Sequence, residues 1–181
     1  MTTVSGDFDL SMDELRAVAR FVTEAAESVL PRFKDAVPDD PRPQSAIAAA
    51  REFIDGAARS KRQRVTSLDA HRAAMEAPDD VSRLAAQAAG DAASAAYLHP
   101  IAKATQVGHI LRAQANLALI AQIDADGNPE AAAVQLDMVC GDAPSIVVDV
   151  LRRYPPAPKG KSPASQLMAR LDTKLRTRHG D

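Results

Sequence analysis

The chain has 181 residues, a net charge of −2, 46% hydrophobic but only 3% aromatic side chains, and a single cysteine. That length suffices for one core. The small charge excludes a general attraction to nucleic acid or an anionic membrane, and the lone Cys140 excludes an intrachain disulfide or a cysteine-based metal cluster, as suits a reducing cytosol.

Residues 1–9 read as a frayed polar lead. Ser11 and Glu14 then make the pattern of a capping box, with Leu10 placed as its hydrophobic staple. Leu15, Val18, Val22, Ala25, Val29 and Phe33 follow at spacings of three and four, which predicts an amphipathic helix kinked or ended near Pro31. The proline-rich residues 37–43 are a loop. A second helix is expected over 44–58 and a third over 65–77, with the basic run 59–64 (RSKRQR) between them. The fourth, over 80–98, is set by the run LAAQAAGDAASAA, since alanine loses no side-chain entropy in a helix.

His99-Pro100 marks a break, because proline disfavours helix at the residue before it. The fifth helix, 100–123, is apolar around most of its circumference and reads as the buried centre of a bundle. Asn128-Pro129-Glu130 opens a sixth ending near Gly141, and residues 145–151 are helix in preference to strand despite their β-branched run. Ser162-Pro163 caps a last helix with Leu167, Met168, Leu171 and Leu175 on one face, and residues 177–181, with His179, read as a frayed tail. The expectation is an all-α, single-domain helical bundle over residues 1–181, of about seven helices with an apolar central helix. No window reaches the roughly 20 apolar residues of a membrane span, and the N-terminus lacks a signal peptide's basic start, so a cytoplasmic location is expected.

Several strings fail as motifs. Residues 124–128 (DADGN) have their glycine at the wrong position for an EF-hand and Gln135 where its last ligand belongs, so they are a turn. Gly160-Lys161-Ser162 lacks the earlier glycine of a P-loop. The basic run has no aromatics interleaved and reads as a solvated face. Cys140 reads as a small core residue.

No two histidines share a spacing that would place a metal pair on one helix, and no metal or cofactor is expected. Thr105, His109, Arg112 and Asn116 nevertheless share one face of the fifth helix, and Arg83, Gln87, Asp91 and Ser94 make a similar stripe on the fourth. The first reading is that each stripe is where its helix meets water. The second is a shared polar groove, for which His71, Asp91, His99, His109 and Arg112 are the candidate binding residues, with no catalytic residue assigned.

Residues 9–16 (DLSMDELR) with Arg20 and Phe21, the Pro41-Arg-Pro43 loop leading into residues 48–51, the segment around Ala70-His71, the segment around Gly90-Asp91, and the turn at His99 together resemble the immunity-five-like family of bacterial immunity proteins from polymorphic toxin systems. The resemblance runs over about residues 9–121 and implies an all-helical, non-enzymatic protein that binds and neutralises a cognate toxin. Members often carry Gly-His where this chain has Gly90-Asp91, and a further histidine near the turn, matched here by His99.

Three functions therefore compete. The first is an interaction protein, by resemblance an immunity protein with a toxin as partner, whose interface would rest on arginines and Tyr97. The second is a homodimer packed through alanine faces. The third is a small-molecule-binding or enzymatic bundle using a His/Asp interhelical groove.

Overall fold

Ser11 stands at the head of the first helix as its cap: its Oγ accepts from the Glu14 backbone N–H at 3.1 Å, and its own N–H donates to Glu14 Oε2 at 2.8 Å. From there α1 (Met12–Ala36) runs through Pro31 without ending, its last turn held by buried Phe33 and by the Val37 N–H donating to the Phe33 carbonyl. The computed structural model describes residues 3–178, and His179 lies outside them.

Residues 3–11 depart from the expected frayed lead. They form an antiparallel pair, β1 (Thr3–Ser5) and β2 (Asp9–Ser11), with Val4 opposite Leu10. The Asp7 N–H donates to the Pro100 carbonyl at 2.8 Å and Asp7 Oδ2 accepts from the Ala102 N–H at 2.7 Å, so the hairpin is tied to a loop far along the chain. Gly6 makes this approach possible, since a Cβ there would stand 2.4 Å from the Pro100 carbonyl oxygen.

α2 (Arg42–Ile54) starts earlier than the expected 44–58, with Pro43 in its first turn, and stops earlier because Gly56 at φ +110° turns the chain out of the helix. α3 (Lys61–Glu76) starts four residues before the expected 65. Residues 61–64 of the basic run are its first turn, capped by Ser60 and Gln63 in a second capping box. α4 (Asp80–Ser94) is capped by Asp79 and gives way to a 3₁₀ turn, Ala95–Tyr97. Residues 100–103, expected as helix, are instead a loop of tight turns where they meet the hairpin, the Ile101 N–H donating to the His99 carbonyl and the Lys103 N–H to that of Ile101; a 3₁₀ turn at Ala104–Val107 then leads into α5 (Gly108–Asp124). α6 (Pro129–Asp142) and α8 (Pro163–Thr177) open on the predicted caps Asn128 and Ser162. Residues 145–151 lie in α7 (Ser145–Arg152).

The described residues thus form a predominantly all-α bundle of eight α-helices and one two-stranded pair. α5 lies among α1, α4, α6 and α8, as its apolar circumference predicts, while α4 lies among α1, α2, α3 and α5. Alanine lines α4 so completely that the core there is methyl against methyl, with Phe33 and Phe53 as the large fully buried fillers. Phe8 stacks edge-on to Tyr154 at 4.9 Å, and Cys140 packs against the core from a half-buried position. Among the described residues no single helix is long and apolar enough to cross a membrane. α3 is different in kind: it buries Gln63, Ser67, Ala70, Ala73 and Ala74 against α2 and α4 and leaves its opposite side uncovered.

Candidate functional site

The two polar stripes face each other. α4 and α5 run antiparallel in a register that pairs Ser94 with His109, Asp91 with Arg112 and Gln87 with Asn116, each step of three or four residues on one helix matched by the same step on the other. The expectation that each stripe simply meets water is therefore corrected, and the reason is steric. Alanine along α4 lets α5 approach until side chains that would have reached solvent reach one another.

The central rung is an ion pair with two parallel hydrogen bonds. Arg112 Nε donates to Asp91 Oδ2 at 2.8 Å and its Nη2 donates to Asp91 Oδ1. Asp91 is fully buried, whereas the Arg112 side chain is 43% exposed. That asymmetry tolerates a buried charge, because the fork geometry satisfies both carboxylate oxygens while the guanidinium keeps a hydrated edge. The pair holds Arg112 protonated above its ordinary range, chiefly through the hydrogen bonds that its guanidinium donates to Asp91.

His71 enters from α3. Its Nε2 lies 3.7 Å from Asp91 Oδ1, and the ring rests on Gly90, where a Cβ would come within 2.7 Å of Nε2. Ser67, one turn earlier, donates to the Gly90 carbonyl at 2.8 Å and fixes the same contact. Burial lowers the His71 pKa below its ordinary value; Asp91 opposes the shift and Arg112 adds to it. His109 is shifted the same way for the same first reason. Ser94 Oγ donates to the Asp91 carbonyl at 3.0 Å and lies 3.2 Å from His109 Nδ1, so with its proton committed the hydroxyl accepts from Nδ1.

The lower rung is less complete. Asn116 donates to the Leu84 carbonyl at 3.1 Å and to Gln87 Oε1 at 3.4 Å, while its buried Oδ1 has no partner among the described residues. Two shallow clefts open on this ladder. One of about 310 Å³ is lined by His71, Gln87 and Arg112. Another of about 250 Å³ lies between Arg83, Asn116 and the first turn of α8 at Ser162 and Ser165. Chemically the ladder offers guanidinium N–H donors, a neutral imidazole able to take a proton, and amide groups. Among the described residues no group of three or more His, Cys, Asp or Glu could hold a metal ion.

Of the five candidate residues, His71 and Arg112 both meet Asp91, and His109 joins them through Ser94. His99 is held by its backbone, its N–H donating to Gln106 Oε1 at 3.1 Å and its carbonyl accepting from the Tyr154 hydroxyl at 2.9 Å, and the residue itself is exposed. Sequence reasoning missed Ser67, whose role needs the α3–α4 contact. It also missed the aromatic within the basic run, supplied from elsewhere. Arg59 and Arg64 lie 5.8 and 4.9 Å from the ring centroid of Tyr97, whose hydroxyl donates to the Ser60 carbonyl at 2.7 Å. Cations in a helix's first turn oppose its dipole by about 0.3–1 kcal/mol each, and α3 has Lys61 and Arg62 there with no acidic residue among them.

Fold and site together define a helical scaffold in which a buried carboxylate on α4 pairs with an arginine of α5 and His71 of α3 packs beside them. Residues 9–107 match the family described as Imm-5 like putative immunity protein, more than half of the chain, and the protein belongs to that family. The match runs from β2 through the turn before α5 and contains His71, Asp91 and His99 but neither His109 nor Arg112. No curated protein and no solved structure is significantly similar to the chain.

Proposed function

We propose that this protein neutralises a cognate toxin by binding it directly, without turning over a substrate. Membership of an immunity-protein family over residues 9–107 carries the reading. The ladder supports it in a particular way. Asp91 spends both oxygens on Arg112, and burial favours the neutral form of the histidines beside it, so the Asp91–Arg112 pair is committed to itself and stiffens the contact between α4 and α5. A rigid scaffold suits an inhibitor, since a surface that is already ordered loses less entropy on binding.

The test is capture followed by protection. Tagged protein is used to isolate partners from the cells that make it, and each partner is then expressed alone and together with this chain. The reading requires one partner that arrests growth alone, grows normally in the presence of the chain, and forms a stoichiometric complex with it in purified form. A set of partners none of which is toxic, or a toxin that the chain leaves active, defeats it.

A further inference from the structure

We propose that the uncovered side of α3, together with the Arg59–Tyr97–Arg64 stack at its N-terminal end, is the surface on which the toxin docks, and that the toxin presents carboxylates around an apolar patch there. The proposal rests on the immunity reading above. Lys61, Val65, Leu68, Arg72 and Met75 recur at spacings of four, three, four and three, which aligns them as one ridge along the outer side of the helix. Val65 is 41%, Leu68 54% and Met75 78% exposed. Apolar side chains scattered singly on a surface need no explanation, but three aligned on one face of one helix form the kind of stripe that normally faces a core.

Charge identifies the occupant. Residues 59–64 carry four cations and no carboxylate, in a chain whose net charge is −2. Arg62 pairs with Glu52 at 2.5 Å, whereas Arg59 and Arg64 stack on Tyr97 and have no carboxylate partner among the described residues. These cations oppose the helix dipole and so weaken the helix that carries them, which is a cost that folding alone does not require. Arginine and tyrosine together, held rigid beside an apolar ridge, are the side chains that dominate protein interfaces. A partner bearing carboxylates would neutralise the cations and bury the ridge in one step. The other exposed pair of large apolar residues on one helix, Val134 and Met138 on α6, adjoins the Asp137–Lys174 ion pair and lies outside the matched residues 9–107, which contain all of α3.

The experiment uses full-length chain and the toxin identified by the protection assay, with calorimetric titration of the wild type and of Leu68→Glu, Arg64→Glu and Met138→Glu. Glutamate is a good helix former at exposed positions, and unchanged circular dichroism checks each fold. Leu68→Glu and Arg64→Glu are expected to weaken binding about 30-fold or more, the size of a hot-spot loss, while Met138→Glu stays within about threefold. Raising the salt should weaken the wild-type complex more than the Arg64→Glu complex. If both α3 variants bind as the wild type does while the toxin remains neutralised, the docking surface is elsewhere and the immunity reading survives. If the wild-type chain sediments as a dimer that Leu68→Glu dissociates, the ridge belongs to a second copy and the proposal is overturned. If the chain neutralises no toxin, the reading and the surface fall together.

Discussion

The imidazole of His71 occupies the space in which residue 90 would carry a side chain: a Cβ on Gly90 would stand 2.7 Å from Nε2 and 2.8 Å from Cε1. Glycine in mid-helix costs about 1 kcal/mol relative to alanine, so the close approach of α3 to α4 is obtained against propensity.

A double-mutant cycle exposes that relationship. Gly90→Ala should destabilise the protein, because the displaced ring loses its place beside Asp91. In a His71→Ala background the same substitution should stabilise by about 1 kcal/mol, since only the propensity gain remains. Denaturant unfolding of the four proteins measures the coupling, and equal effects in both backgrounds would contradict the contact.

The Asp91–Arg112 pair should respond unequally to loss of either partner. Arg112→Ala leaves a fully buried carboxylate without a counter-ion and is expected to cost about 3–5 kcal/mol. Asp91→Ala leaves a guanidinium that can rehydrate at its exposed edge, and should cost about 1–2 kcal/mol. Urea midpoints at constant slope decide the order; a larger loss for Asp91→Ala would show that the carboxylate is not the strained member.

His71 and His109 give stability a sign with pH. Burial lowers both pKa values in the folded state below their unfolded ones. The unfolded chain therefore takes up protons first, and the contribution present above pH about 6.5 is lost as the pH falls through and below that value. Melting temperature should decline between pH 7.5 and 5, before the carboxylates of Glu14, Asp40 and Asp79, whose pKa values are lowered, begin to titrate. His71→Gln should flatten part of that decline, and an unchanged profile would rule His71 out as a contributor.

Thr23 is fully buried on α1 with its Oγ1 unpartnered among the described residues. Thr23→Val keeps the shape and removes the unsatisfied hydroxyl, so it should stabilise by about 1 kcal/mol. A thermal melt tests it directly, and a loss of stability would mean that Oγ1 is satisfied in solution.

Local chemistry was legible in the sequence and distance was not. Ser11 with Glu14, Asn128 and Ser162 cap the helices they were expected to cap, because a cap is decided by residues within one turn. The family was legible too, on residues scattered through α1 to α4. The stripe residues His109, Arg112 and Asn116 could be placed on one face of a helix, but whether that face meets water or another helix depends on how closely a neighbour packs. The start of α3 was hidden for a related reason: Lys61, Arg62 and Arg64 are the wrong sign for a helix N-terminus, and the ring that organises the arginines belongs to Tyr97. The hairpin was missed because its tie is to Pro100.

α4 is surrounded by four helices and is lined by methyl groups. Its neighbours therefore stand so near that nearly any larger residue would wedge them apart, and inheritance has little freedom to rewrite it. The outward ridge of α3 is under no such restraint, since Leu68 and Met75 hold nothing in place behind them. A change of lettering on that outer face therefore leaves the interior text as it stands, so the two sides of one helix are free to be rewritten separately.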